Sequence, residues 1–505
     1  MRVTYIFLFV YLVLAGIAYS QVEQPDRFEI EINIFDNYFD VINGEEDGLL
    51  LLRQGNDRNR QGDPRFEFVL LDSSLNTLWR KDIFIDRFYE YRGFDYFQGS
   101  YYLLYKYLRG GSRDLKIIKM DMDGDTTHYT VSNLIPIELS EFEMTQEAAL
   151  IGGYFNYNPF VIHYSLIDGK SKVLPGVYQN RTELIQLKVD DVSGSFIVIT
   201  GEKTYDKRNT LSLKTYDFNG DLVNNIILNP EEDKGLITGQ AADFNRSGIL
   251  IGGTYAGKRS TFSSGLFIAS INNEEEQRVN YYNYADLENF FSYLRAKRQK
   301  RITDKIERKK VKGKKIKFNY RLLVHEIIED ENQYIMIGEA YYPKYSSSSN
   351  YNDIFLSNRY GYTSGYGTYL IGYRYTHAVV IGFDKRGNVL WDNSFEIDDV
   401  LSPNLEQYVH AESRDGSILL LYLYDNEIRT KIIKGNEVLE GKSFDEIKLS
   451  FEDDVVREKE SEVEKLNRWY NNNYYAYGEQ NIKNMKDTGV KLNRRVFYIN
   501  KVRYK

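Results

Sequence analysis

The residues able to do covalent or metal chemistry are few and scattered. No cysteine occurs among 505 residues, so thiol nucleophiles, Cys-based zinc sites and disulfides are excluded. Five histidines are present: His128, His163, His325, His377 and His410. His325 and His410 hold matching places in two similar segments, where they could serve as metal ligands or as an acid–base pair. Side chains alternate along a strand, so Glu326 and Ala411 face away from their neighbouring histidines, and hydrogen-bonded structural histidines are the expectation. "DMDGD", Asp121 to Asp125, has the oxygen spacing of a calcium loop. Its Gly124 falls too early, however, and Tyr129 and Ser132 stand where further ligands belong, so a hairpin turn is expected. No nucleophile elbow, P-loop, zincin helix or dinucleotide fingerprint appears, so no catalytic residue, metal or cofactor is assigned.

The stronger chemistry is that of binding. Residues 295–317, "RAKRQKRITDKIERKKVKGKKIK", hold 13 Lys or Arg in 23 positions. Together with Leu287, Phe290, Leu294, Ile302 and Ile306, they predict an amphipathic helix from about Asp286 to Lys312, within an insertion at about 285–313. A second insertion, 341–375, carries ten tyrosines among Ser and Gly, an adaptable recognition composition. The candidate binding residues are Arg58, Arg60, Arg109, Arg113, Lys207, Arg208, Lys258, Arg259, Arg298, Lys309, Lys310, Tyr345, Tyr362, Tyr366 and Tyr369. Guanidinium, ammonium and phenol groups suit an anionic glycan, a lipid headgroup or an acidic protein patch. A net charge of −8 argues against a general nucleic-acid binder.

These residues are set into a repeat. An apolar strand after a turn signal recurs as "GLLLLRQ", "GSYYLLYKY", "EAALIGGYF", "GSFIVITGEK", "SGILIGGTY", "NQYIMIGEAYY" and "GSILLLYLY". Each is followed by a second apolar strand, such as "FEFVLLD" or "AVVIGFD", and most units close with a polar turn and a fourth strand. Asp72 and Trp79 of "DSSLNTLW" recur as Asp384 and Trp391 of "DKRGNVLW", which reads as a hairpin with a capping Asp, a left-handed Gly387 and a Trp packed between units. A four-stranded sheet cannot bury both faces alone, whereas radial stacking can, so the expected fold is an all-β propeller of seven blades, with six or eight open. A closing strand would come from "RFEIEINIF" or "RVFYINKVRY".

At this point the chain resembles secreted bacterial propellers of the WD40-like and quinoprotein-like superfamily, whose hairpins also join an Asp, a Gly and a docking Trp. The Asp-to-Trp spacing here is one residue shorter than the quinoprotein pattern, so the resemblance implies fold and no site residues. Antiparallel order puts second-to-third loops and inter-blade crossovers on one face, which predicts a basic, tyrosine-rich face. The acidic turns at 43–47, 190–191 and 329–332 are expected opposite.

The ends complete the reading. "MRVTYIFLFVYLVLAGIAYSQVEQ" predicts a secretory signal over 1–20, and with no cysteine it points to a bacterial periplasm or cell exterior. The propeller is expected over 21–452, with 453–505 as a helical tail and final strand, since Val463, Leu466, Trp469 and Tyr470 keep helical spacing. The functional expectation is a non-enzymatic binding or scaffold module at the cell envelope, without a transmembrane span and with its oligomeric state open. The alternative is a polysaccharide- or peptide-processing enzyme with carboxylates at the channel mouth.

Overall fold

The computed structural model describes residues 22–504, apart from 110–113, 133–134, 192, 243–247, 259, 315, 326, 331–332, 348–367, 399, 458–463 and 487–488. The expected signal segment therefore lies outside the described residues. The chain forms eight antiparallel sheets, one more than the repeat predicts. Seven are continuous in sequence, over 40–84, 89–131, 138–173, 183–227, 234–283, 321–396 and 410–446. The first strands of the first six sheets lie side by side in succession, which is the arrangement of blades around an axis.

The second strand of each blade shows why the sequence folds this way. Leu49, Leu50, Leu51 and Leu52 are all buried, although alternate side chains point to opposite faces. Leu49 and Leu51 pack with Tyr475, Phe497 and Ile499 of the last blade. Leu50 and Leu52 pack with Tyr101, Leu103 and Ile118 of the second. Leu419 to Tyr422 repeat the pattern between the seventh blade's two neighbours. A strand covered on both sides reads as a continuous apolar run, each side chain contributing about 1.5–3 kcal/mol when fully buried.

The eighth blade is built from both ends of the chain. Glu464–Arg468 pairs with Asn473–Asn484, which pairs with Asn493–Tyr504, and Arg27–Glu31 adds the outer strand. The two candidate closing strands thus lie in one sheet, Arg27 opposite Asn500. This also corrects the expected helical tail. Leu466 lies on a strand and Trp469 and Tyr470 belong to the following turn, where Asn471 adopts a φ of 47°. Their helical spacing comes from a strand running into a turn, and the Tyr-rich stretch beyond it favours a strand.

The recurring Asp is a turn cap. The Asp72 carboxylate accepts the backbone N–H of Ser74 and Asn76, both at 2.8 Å, and Asp384 accepts those of Arg386 and Asn388 at 2.9 and 2.8 Å. Gly387 has a φ of +78°, and Leu75 takes the same left-handed place at 62°. Asp121 caps its turn in the same way, so "DMDGD" is a hairpin between strands. Trp79 donates its indole N–H to the Met122 carbonyl of the next blade at 2.7 Å. Trp391 covers Gly382, where any Cβ would collide with its ring, and reaches Gly435 of blade seven.

Buried titrating groups set an expected pH profile. Burial pushes the Glu464 carboxyl up to about 7 and that of Asp95 up to about 6, while it holds His377 down to about 3 and His410 to about 4. A carboxyl raised in the fold binds its proton more tightly when folded, so its contribution to stability falls as pH rises from about 4.3 towards those values. A histidine kept neutral does the reverse, because the unfolded chain takes up a proton near pH 6.5. Between about pH 4.5 and 6.5 the two pairs oppose each other. Glu464→Gln should therefore tilt the melting profile, relative to wild type, towards higher stability at the upper end of this window. Parallel wild-type and Glu464→Gln profiles would contradict that account.

Candidate functional site: a cleft between the helical insertion and blade six

The insertion enters blade six by docking on its outer strand, Val389–Glu396. The buried Asp392 carboxylate accepts the backbone N–H of Glu288 at 2.8 Å and of Asn289 at 2.7 Å. Asn289 returns an amide bond to the Asp392 carbonyl at 3.0 Å, and the Ser394 hydroxyl accepts the Tyr293 N–H at 3.1 Å. These contacts hold 286–294 as turns, so the helix covers only Ala296–Val311, shorter than the expected 286–312. Leu287 and Phe290 reach the core from the turns and Ile306 from the helix, all into one cluster. The apolar spacing is satisfied by two different elements.

The second insertion supplies the opposite wall. Strands Gln333–Ser347 and Thr368–Asp384 continue as a paired ribbon past their blade, with register shifts at Ala340/Tyr341 and Lys344/Tyr345. Leu401–Ser402 braces the ribbon at Tyr373 and Arg374. Between ribbon and insertion lies an open cleft of about 680 Å³. Tyr293, Arg295 and Arg298 line one side, and Tyr341, Tyr342, Arg374 and Tyr375 the other, with Tyr320, Glu396 and Asp398 between them.

The cleft's charges are unequally matched. Asp398 is bonded by Lys442 of blade seven and lies 3.6 Å from Arg429. Burial and the neighbouring Asp398 raise the Glu396 carboxyl above its usual range. Arg295 and Arg298 are exposed and form no ion pair among the described residues. Burial raises the Tyr293 and Tyr375 phenols, which stay neutral donors. Beneath Tyr293 lies the fully buried His377, ring against ring at 3.6 Å and 7°.

The other residues singled out in the sequence are dispersed. Arg58 bonds the Gly62 carbonyl at 3.0 Å, Arg60 is exposed, and Arg109 stacks on Phe88 at 4.6 Å. Arg208 and Lys258 both pair with Asp206, and Lys310 pairs with Asp286 at 2.8 Å. Lys207 takes a left-handed turn position, Lys309 is on the helix, and Tyr345 is an exposed ribbon residue. The Tyr369 backbone pairs with Ser346. Arg113, Arg259, Tyr362 and Tyr366 lie outside the described residues. Only Arg298 of the named set lines the cleft, so Tyr293, Arg295, Tyr320, Arg374, Glu396 and Asp398 were missed. Their one signal was that Tyr293, Arg295 and Arg374 belong to the two insertions; Tyr320, Glu396 and Asp398 lie beyond them and carried none.

A second hollow, of about 780 Å³, opens on the opposite face beside the first-to-second turns. Glu45, Asp47, Asp95, Glu143 and Asp191 line it, on the face opposite the one where the enzyme alternative expects its acids. Asp95 accepts the N–H of Met144 at 2.6 Å and of Tyr96 at 2.8 Å. The two histidines of interest lie elsewhere. His325 Nε2 is 3.4 Å from the buried Glu339 but poorly aligned for a hydrogen bond, and the Glu339 carboxylate already accepts the N–H groups of Tyr408 and Val409. His410 Nε2 bonds the Leu466 carbonyl at 2.7 Å. No three His, Asp or Glu side chains converge as metal ligands among the described residues.

Fold and cleft together define an eight-bladed β-propeller with an arginine- and tyrosine-lined hollow on its loop face. No family model and no curated protein matches the sequence. Among solved structures, the chain is similar to a polysaccharide lyase, Uly1, at TM-score 0.40 and 7% identity over 82% of this chain and 89% of that one. It is similar to the β-propeller domain of the Trilobed protease from Pyrococcus furiosus, described as having an open velcro topology, at TM-score 0.36 and 8% identity over 80% and 100%. An acylaminoacyl peptidase of Pyrococcus horikoshii matches at TM-score 0.36 and 8% identity, over 81% of this chain and 52% of that one.

Proposed function

We propose that this propeller is an exported, non-enzymatic binding module that takes an anionic ligand into the cleft beside the helical insertion. The observation that carries the reading is the cleft's unbalanced charge: Asp398 is matched from blade seven, whereas Arg295 and Arg298 line the cleft without a close ion pair among the described residues, Arg295 acting on Glu396 only at longer range. A carboxylate or phosphate on a hydroxylated ring suits such a site, because guanidinium groups fork onto oxyanions and tyrosine rings cover a ring's apolar face. Neutral phenols, Asn319 and Thr376 would serve the hydroxyls. Export rests on the leader-like first 20 residues.

The expected result is salt-sensitive binding of oligogalacturonate or inositol hexakisphosphate in calorimetry, weakened about tenfold or more by Arg295→Glu/Arg298→Glu. No binding of either probe, or equal binding by the variant, would remove the cleft reading. Depolymerisation of the oligogalacturonate by the wild type would turn it into an enzyme instead.

A further inference from the structure

We propose that the whole loop face docks on an anionic lipid bilayer, so that the cleft's ligand is a lipid headgroup; this rests on the cleft reading above. The observation is the distribution of exposed apolar side chains. Second-to-third loops and inter-blade crossovers carry Phe35 at 85% exposure, Tyr157 at 94% and Val311 at 88%, with Tyr205, Tyr345 and Met485 also exposed. They come from loops spread around the ring. On the opposite face Ile167 is exposed in a turn, and Leu78, Val223, Leu390 and Val438, at 49–67% exposure where fourth strands leave their turns, protrude less than Phe35, Tyr157 and Val311.

Such side chains remain in water at a cost unless something covers them, and their spacing selects what can. A rigid protein partner would need a matching socket at each loop. A bilayer interface is deformable, and it accepts separate aromatic and aliphatic side chains at the headgroup boundary. Charge fixes the orientation. The helix Ala296–Val311 has eight Lys or Arg against two acids and lies in a crossover on this face. The opposite turns include Glu45, Glu46, Asp47, Asp123 and Asp125, which an anionic surface would repel. No helix among the described residues is long and apolar enough to cross a membrane.

The test is co-sedimentation with vesicles of phosphatidylcholine alone or mixed with phosphatidylglycerol, at low and high salt. Wild type should partition onto the mixed vesicles only, and less at high salt. Phe35→Ser/Tyr157→Ser/Tyr205→Ser should reduce partitioning about tenfold or more while leaving soluble oligogalacturonate or inositol hexakisphosphate binding unchanged. Ile167→Ser should match wild type in both assays. No partitioning, equal partitioning by the triple variant, or an equal loss with Ile167→Ser would overturn the bilayer inference. Soluble-probe binding would in each case leave the cleft reading standing. Loss of probe binding in the Arg295→Glu/Arg298→Glu variant with unchanged vesicle binding would show that the headgroup is not the cleft's ligand.

Discussion

Arg494→Ala should lower the unfolding free energy by about 3–5 kcal/mol, the usual cost of removing one partner from a buried ion pair. Arg494 grips Asp454 with both terminal guanidinium nitrogens, one bond measuring 2.9 Å, and its Nε reaches Glu29 at 2.9 Å. Asp454 also accepts the Asn484 amide at 2.9 Å, so its oxygens are fully committed. Burial alone would raise the Asp454 carboxyl, but Arg494 outweighs it and the group is held below its ordinary value. Truncation would leave a buried carboxylate without its cation and leave Glu29, which stands on the N-terminal strand, with only Arg27 and Ser450 as partners. The same side chain therefore ties the first described residues to the last. Urea denaturation measures the loss, and an Arg494→Met/Asp454→Leu double variant should recover part of it. A loss below about 1 kcal/mol would show that the network contributes no more than a surface pair.

Asp392→Ala should cost about 1–3 kcal/mol by leaving the Glu288 and Asn289 N–H groups without an acceptor, and it should also empty the cleft. The turns that carry Tyr293, and that lead through Arg295 into the helix bearing Arg298, are held to blade six chiefly through Asp392 and Ser394. With the carboxylate gone, the arginines lose a fixed position, so probe affinity should fall even though no cleft residue has changed. Asp392→Asn keeps one acceptor oxygen and should lie between the two. Limited proteolysis should cut the helical segment of Asp392→Ala faster than wild type. Native-like protection and affinity in that variant would mean the apolar residues Leu287, Phe290 and Ile306 suffice to seat the insertion.

Seven blades are legible because their second strands are buried on both faces and so appear as unbroken apolar runs. The eighth is not, because its outer strand and its inner three stand at opposite ends of the chain and neither part repeats the pattern alone. The helix was visible in Ile302 and Ile306, but its start was not, since the acceptors that unwind 286–294 belong to Asp392 and Ser394, a hundred residues away. Charge was legible only as an inventory. Arg208, Lys258 and Lys310 count as basic in the sequence, yet each has a carboxylate in the fold. Arg374, Glu396 and Asp398 enter the cleft through a sheet register that spacing alone does not reveal.

The composite eighth blade also orders events in time. The strand Arg27–Glu31 is among the first to be made, yet its partner Asn493–Tyr504 is the last. Leu49 and Leu51 of blade one rest against that same late partner, so their side of the sheet has no cover while the chain grows. The ring therefore stays an open arc until Asn493–Tyr504 has been made, and its closing contact is also its longest-range one. Such a chain is kept unlocked by its own connectivity until its two distant strands meet.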